Sequence, residues 1–150
     1  LDIGCGMGYF SLPLARRVGS EGKVVCVDLQ EPMIRALLRR AGKAGVMDRV
    51  DGRVCGPDGL GLADLAGRVD FALAFAVVHE VPDPAAFFAD VAAAVKPDGR
   101  LLLAEPKGHV SVREFAETVG IAEKFGLLRE AEPRIRGSRT ALLRRTASET

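Results

Sequence analysis

The hydrophobic and polar positions along the chain alternate between two periods. Near-continuous apolar runs at 23–29, 69–78 and 100–104 are typical of strands buried on both faces of a parallel sheet. Between them, apolar residues recur three and four positions apart, as on one face of a helix. Further strands are predicted at 1–3 and 49–55, and two short strands are predicted within 127–145. Helices are predicted over 9–18, 32–44 and 112–125, and another begins at 84. Strands separated by helices of this kind favour right-handed βαβ crossovers, so the sequence predicts one α/β domain over residues 1–150.

Local signals place several of these boundaries. Pro32 and Pro84 suit the first turn of a helix, where a missing N–H is not needed. Ser111 is a plausible N-cap, and Glu114 three residues later completes a capping box. The segment 96–99 (KPDG) is rich in helix- and strand-breaking residues and predicts a turn before the strand at 100–104.

The first predicted strand is short. Only Leu1, Asp2 and Ile3 precede a glycine-rich loop, whereas strands usually contain about 5–6 residues. In an α/β sheet of this kind the strand should be central, so we expect further residues before Leu1 in the full gene product.

Composition narrows the class of protein. Hydrophobic residues make up 48% of the chain and charged residues 27%, with a formal net charge of +1, so no overall field attracts nucleic acid or an anionic membrane. The longest apolar run, 71–78, is far shorter than the roughly 20 residues that span a bilayer. With no basic-then-apolar leader visible, a cytoplasmic location is expected. Cys5, Cys26 and Cys55 form no CxxC pair, so we expect reduced thiols and no metal site.

The heptapeptide 2–8 (DIGCGMG) lies where a strand passes into a helix. Glycine suits such a turn because it adopts unusual backbone angles and lets a ligand approach the main chain. A dinucleotide-binding loop would carry a third glycine at position 9, but that residue is Tyr9. Asp28 follows Gly8 by 20 residues at the end of the second strand, where a carboxylate can accept both ribose hydroxyls. That acid suits NAD and S-adenosylmethionine alike.

Four spaced segments carry a family resemblance. They are the loop 2–8, the strand end 27–29 (VDL) followed by 32–33 (PM), the segments 69–71 and 78–84, and the turn 96–101. Together they resemble class I S-adenosylmethionine-dependent methyltransferases of the Rossmann-like, small-molecule type, over roughly residues 1–106 and more weakly beyond. The resemblance implies a doubly wound, mostly parallel sheet of order 3-2-1-4-5-7-6, with strand 7 antiparallel.

The resemblance also implies a cofactor site for S-adenosylmethionine. The expected cofactor-binding residues are Asp2, Gly4, Cys5, Gly6, Gly8, Asp28, Leu29 and Asp58. The glycines let the loop backbone pack against the methionine and ribose parts, Asp2 lies near the amino group through water, and Leu29 packs beside the adenine. The family often has an acid after strand three, where this chain has Gly56; Asp58 is the candidate substitute.

The sequence also offers candidate residues for a general base that would act on the methyl acceptor. Methyl transfer needs a general base only when the acceptor must lose a proton. His79 and Glu80 follow strand four, and Glu105 and His109 follow strand five. His79 is the preferred base, because imidazole side chains as a class exchange protons near neutral pH. A small-molecule acceptor is expected, with no prediction of the oligomeric state. Two rival functions stay open: a non-catalytic S-adenosylmethionine-binding module, and a nicotinamide-dependent oxidoreductase.

Overall fold

The computed structural model describes residues 1–147. Its strands are β1 Asp2–Ile3, β2 Val24–Asp28, β3 Val50–Val54, β4 Val69–Phe75, β5 Val95–Pro106, β6 Leu127–Ala131 and β7 Ser138–Arg145. Its α-helices are α1 Ser11–Arg17, α2 Glu31–Lys43, α3 Pro84–Ala94 and α4 Val112–Lys124. The strands form one sheet of order β3-β2-β1-β4-β5-β7-β6, in which β7 runs antiparallel to both β5 and β6. The predicted fold class and strand order are confirmed.

The chain packs as two compact units, the first comprising Leu1–Leu60. In this unit β2 pairs in parallel with both β1 and β3. Helix α2 buries Ile34, Leu37 and Ala41, which are spaced three and four residues apart and therefore share one face. They belong to the same buried cluster as Cys5 and Cys26. This core fixes the glycine loop between β1 and α1.

The second unit begins at Gly61 and is organised around β5, which pairs in parallel with β4 and antiparallel with β7. Its core includes the fully buried Phe88, Leu101 and Leu143. Helix α4 begins with the predicted capping box: the Glu114 N–H donates to Ser111 Oγ at 3.2 Å, and the Ser111 N–H donates to Glu114 Oε2 at 2.8 Å. No helix within residues 1–147 has the length and apolar character needed to cross a membrane.

Two boundaries differ from the sequence prediction by more than two residues. The strand predicted over 69–78 ends at Phe75, because Ala76 has a φ of 56° and turns the chain into a short 3-10 helix at Val78–Glu80. The turn 96–99 lies within β5 rather than before it. Val69 of β4 pairs with Val95 of β5, and Phe71 pairs with Arg100. Residues 96–99 of β5 therefore form a bulge between these two pairs.

Candidate cofactor and catalytic sites

The glycine loop is anchored to β2 through its main chain. The N–H groups of Gly4 and Cys5 both donate to the Val27 carbonyl, at 2.8 and 3.1 Å. Gly4, Gly6 and Gly8 have φ values of 70°, 53° and 92°, a region that residues with a Cβ rarely adopt. The alternating glycines are therefore required by the backbone path of the loop.

Gly6 and Gly8 differ in what surrounds them. A Cβ built on Gly6 meets nothing within 4 Å, whereas one built on Gly8 lies 2.4 Å from Leu37 Cδ1 of α2. Gly8 thus lets the loop pack closely against α2. Gly6 leaves its surface open, which is the arrangement a ligand lying on the main chain requires.

Asp28, at the end of β2, is held by the same loop. Its Oδ2 accepts a hydrogen bond from the Gly6 N–H at 2.9 Å, and its Oδ1 accepts one from the Gln30 N–H at 2.9 Å. Each carboxylate oxygen keeps a further lone pair for a ligand hydroxyl. The adjacent Leu29 is 61% exposed, an open apolar surface beside a fixed carboxylate. The ribose-binding role expected of Asp28 and the adenine-binding role expected of Leu29 stay predictions.

Asp2 is buried at the start of the loop, only 2% exposed. Ser11 Oγ, in the first turn of α1, donates to its Oδ2 at 2.5 Å. Burial raises the pKa of Asp2 above its ordinary value, and the Ser11 hydrogen bond opposes that rise only in part. Sequence reasoning missed Ser11, although a serine nine residues after a strand acid is a weak signal.

Two of the expected cofactor residues are placed differently from the rest. The Cys5 side chain packs in the buried cluster of the first unit. At this position of the loop, only the main chain is left for contact with a ligand. A hydrogen bond with Cys26, together with burial, raises the pKa of the Cys5 thiol. Asp58 is exposed in a tight turn that the bridge between Gly56 and Gly59 closes. Their roles stay predictions.

In the second unit, a buried carboxylate organises the segment that carries His79. Glu105, at the end of β5, is 1% exposed. Its Oε1 accepts from the N–H groups of Val77 at 3.2 Å and Val78 at 2.9 Å, and its Oε2 accepts from the His79 N–H at 3.4 Å. The same Oε2 contacts His79 Nδ1. The positive φ of Ala76 directs these three consecutive N–H groups toward one carboxylate.

The His79 ring borders a cavity of about 240 Å³. The cavity is lined by His79, Glu105, His109, Val110, Glu114 and Thr118. The His79 and His109 rings stack with centroids 5.8 Å apart and planes 24° apart. Within residues 1–147, no group of three or more His, Cys, Asp or Glu side chains is arranged to hold a metal ion.

The pairing of His79 with Glu105 was not predicted from sequence, although both residues were weighed as candidate bases. A signal was available: Glu105 directly extends the apolar run 100–104, and an acid at that position of a buried strand needs partners. Which partners it finds depends on the turn at Ala76, which no local pattern indicates.

Comparison of the chain with known proteins supports this architecture. The family model described as "Methyltransferase domain" matches residues 1–103. The chain belongs to this family. It is 40% identical over 116 residues to nocamycin O-methyltransferase of Saccharothrix syringae, covering 77% of this chain and 40% of that protein. It is 32% identical over 116 residues to the ubiquinone biosynthesis O-methyltransferase of Parvibaculum lavamentivorans, covering 77% and 43%.

A solved structure gives the same assignment at the level of fold. The S-adenosylmethionine-dependent methyltransferase from Aquifex aeolicus superposes with a TM-score of 0.84 at 22% identity, covering 97% of this chain and 80% of that one. The family expected from sequence, the S-adenosylmethionine-dependent methyltransferases, is therefore confirmed. The chain spans about two fifths of the length of the two curated relatives named above.

Proposed function

We propose that this chain binds S-adenosylmethionine and transfers its methyl group to a hydroxyl oxygen of a small molecule. The observation that carries the proposal is the junction of Gly6 and Asp28, where an open main-chain surface meets a carboxylate already fixed by two N–H groups. The names of two relatives, both O-methyltransferases of small molecules, support the acceptor class.

The first unit would hold the cofactor. Asp28 would accept hydrogen bonds from the ribose hydroxyls, and Leu29 would pack on the adenine. The loop backbone around Gly4 and Gly6 would lie against the methionine and ribose parts. Asp2 would contact the amino group through water. Because Asp28 is fixed before binding, little ordering of its side chain opposes association.

The second unit would supply the proton acceptor. S-adenosylmethionine, when bound, supplies an activated methyl group on a sulfonium. A hydroxyl oxygen attacks well only as its proton leaves, so a base beside it accelerates the reaction. His79 borders the cavity of the second unit and is suited to take that proton. Positioning of the acceptor supplies the remaining acceleration.

The two rival functions are less well supported. A nicotinamide-binding loop lacks support because Tyr9 stands where the third glycine is required. A non-catalytic S-adenosylmethionine-binding module would explain the first unit, but it gives no role to the imidazole–carboxylate pair in the second.

The experiment has a binding arm and a turnover arm. Isothermal titration should show binding of S-adenosylmethionine and none of NADH, and Asp28→Ala should weaken the former. Turnover is then followed as release of S-adenosylhomocysteine with a panel of phenols and enols, in the wild type and in His79→Ala. Binding without release on any acceptor would favour the module, and tight NADH binding would favour the oxidoreductase.

A further inference from the structure

Glu105 is the most heavily hydrogen-bonded side chain in the second unit's site. It is buried, and its two oxygens face three backbone N–H groups as well as the His79 ring. An ionised carboxylate can only accept hydrogen bonds. The ring nitrogen that contacts it, Nδ1, must then be the one that carries a proton.

Among residues 1–147, the other ring nitrogen of His79 has no comparable partner. His79 Nε2 lies 3.8 Å from Glu80 Oε1, which is beyond hydrogen-bonding distance, and the Glu80 side chain is 75% exposed. The ring face stacks against His109, which adds packing without engaging either nitrogen. In any neutral imidazole whose Nδ1 carries the proton, the free lone pair is on Nε2.

We propose that Glu105 is a positioning residue that holds His79 in its Nδ1-protonated tautomer, so that Nε2 is the nitrogen that accepts a proton from the acceptor. The role of Nε2 in catalysis rests on the proposed function, whereas the tautomer itself does not. In the reaction the acceptor O–H bond would break and its proton would move to Nε2. The oxygen would bond to the methyl carbon while the bond from that carbon to the sulfonium sulfur breaks, and S-adenosylhomocysteine would leave with the electron pair of that bond. The resulting imidazolium is stabilised by the Glu105 carboxylate.

Glu105→Gln separates positioning from simple support of the backbone. The glutamine oxygen will stay opposite Val77 and Val78, because turning it away would leave the buried Val78 N–H without an acceptor. The glutamine NH₂ group then faces His79 Nδ1 and can only donate. The variant gives up the long 3.4 Å bond from the His79 N–H but keeps the bonds from Val77 and Val78 that hold the turn. It should therefore keep the turn but force Nδ1 to accept, which moves the proton to Nε2.

Nitrogen-15 NMR of the imidazoles reads the tautomer directly, without any acceptor. The chain has only two histidines, so His109→Gln assigns the His79 signals. We expect Nδ1 protonated in the wild type and Nε2 protonated in Glu105→Gln. Glu80→Gln is the matched control, since it neutralises the carboxylate nearer Nε2; it should leave the tautomer unchanged.

Several results would overturn the proposal. These are Nε2 protonation or a fast mixture of tautomers in the wild type, and an unchanged tautomer in a folded Glu105→Gln. If Glu105→Gln does not fold, the wild-type spectrum still decides, and Glu105→Asp, which keeps the charge, should retain the wild-type tautomer.

Activity adds a second readout once a hydroxylated acceptor is in hand. Glu105→Gln should lower kcat by about 10²–10⁴-fold, the range for general-base catalysis, with S-adenosylmethionine affinity unchanged. If kcat were unaltered although the tautomer had switched, Nε2 would not be the proton acceptor. If the wild type had the expected tautomer but methylated no acceptor, the proposed function would fail. The assignment of Glu105 as the residue that sets the His79 tautomer would still stand.

Discussion

Replacing Gly6 with alanine tests whether the open surface of the loop is where the cofactor lies. The substitution adds a single methyl group. In the free protein that group meets nothing within 4 Å, so no packing clash accompanies it. What it does introduce is a Cβ at a φ of 53°. Alanine in this left-handed region is strained by about 1–2 kcal/mol, which for a chain of this size lowers the melting temperature by roughly 2–8 °C.

The substitution should also weaken cofactor binding, in addition to this loss of stability. If S-adenosylmethionine packs against the Gly6 main chain, the methyl group must displace it, and overpacking a fitted site costs about 1–3 kcal/mol. The Kd for S-adenosylmethionine should therefore rise about 5- to 150-fold, measured by isothermal titration.

Gly19→Ala is the matched control for backbone strain. Gly19 has a φ of 76°, and a Cβ there also meets nothing within 4 Å, but it lies beyond the end of α1. It should lower the melting temperature to a similar extent and leave the Kd unchanged. Gly8→Ala provides a contrast, because its Cβ would lie 2.4 Å from Leu37 Cδ1 and should destabilise the fold more. Equal affinities for Gly6→Ala and Gly19→Ala would refute the placement of the cofactor.

Three further predictions concern the first unit. Asp28→Ala should raise the Kd for S-adenosylmethionine by about 10- to 150-fold, since hydrogen bonds to a charged group are worth about 1.5–3 kcal/mol, and Asp58→Ala should raise it less; the reverse order by titration would contradict the position of the adenine. Asp2→Asn should raise the melting temperature at neutral pH. Burial raises the pKa of Asp2, so the folded state binds the Asp2 proton more tightly than the unfolded state does. The stability of the wild type therefore falls as pH rises from the ordinary carboxyl pKa through the folded-state pKa, and the advantage of Asp2→Asn should shrink as pH falls through that window. Identical melting temperatures of wild type and variant at neutral pH would contradict this prediction. Cys55 should be the first thiol alkylated by iodoacetamide, because Cys5 and Cys26 are both buried. Its alkylation should be more rapid at higher pH, because burial raises the pKa of Cys55. Peptide mapping that finds Cys5 or Cys26 labelled first would contradict this.

The fold was largely predictable because its signals are local. Buried parallel strands read as apolar runs, α2 shows its buried face at helical spacing, and Ser111 with Glu114 marks the start of α4. The order of the sheet came from the family resemblance rather than from these patterns, since nothing in the spacing of strands fixes which of them are neighbours.

The site was predictable in part. The loop glycines and Asp28 were named from spacing, and the structure joins them through the Gly6 N–H. Sequence could not separate Gly8, whose missing Cβ accommodates Leu37, from Gly6, whose missing Cβ opens a surface. That distinction depends on which helix packs against the loop, a tertiary contact without a local signature.

The turn after β4 contains an alanine in a strained backbone conformation, beside the candidate base His79. Ala76 holds a φ of 56°, where alanine is disfavoured by about 1–2 kcal/mol, in a position that glycine would fill without strain. The strain persists because the turn presents the N–H groups of Val77, Val78 and His79 to Glu105, and hydrogen bonds to a charged group are worth about 1.5–3 kcal/mol each. Those bonds also satisfy a carboxylate that would otherwise be buried without donors. Backbone support alone does not explain the fourth contact, to His79 Nδ1. A buried acid that both stabilises a strained turn and engages an imidazole at its end is the arrangement expected where a ring must be held in one orientation and one tautomer.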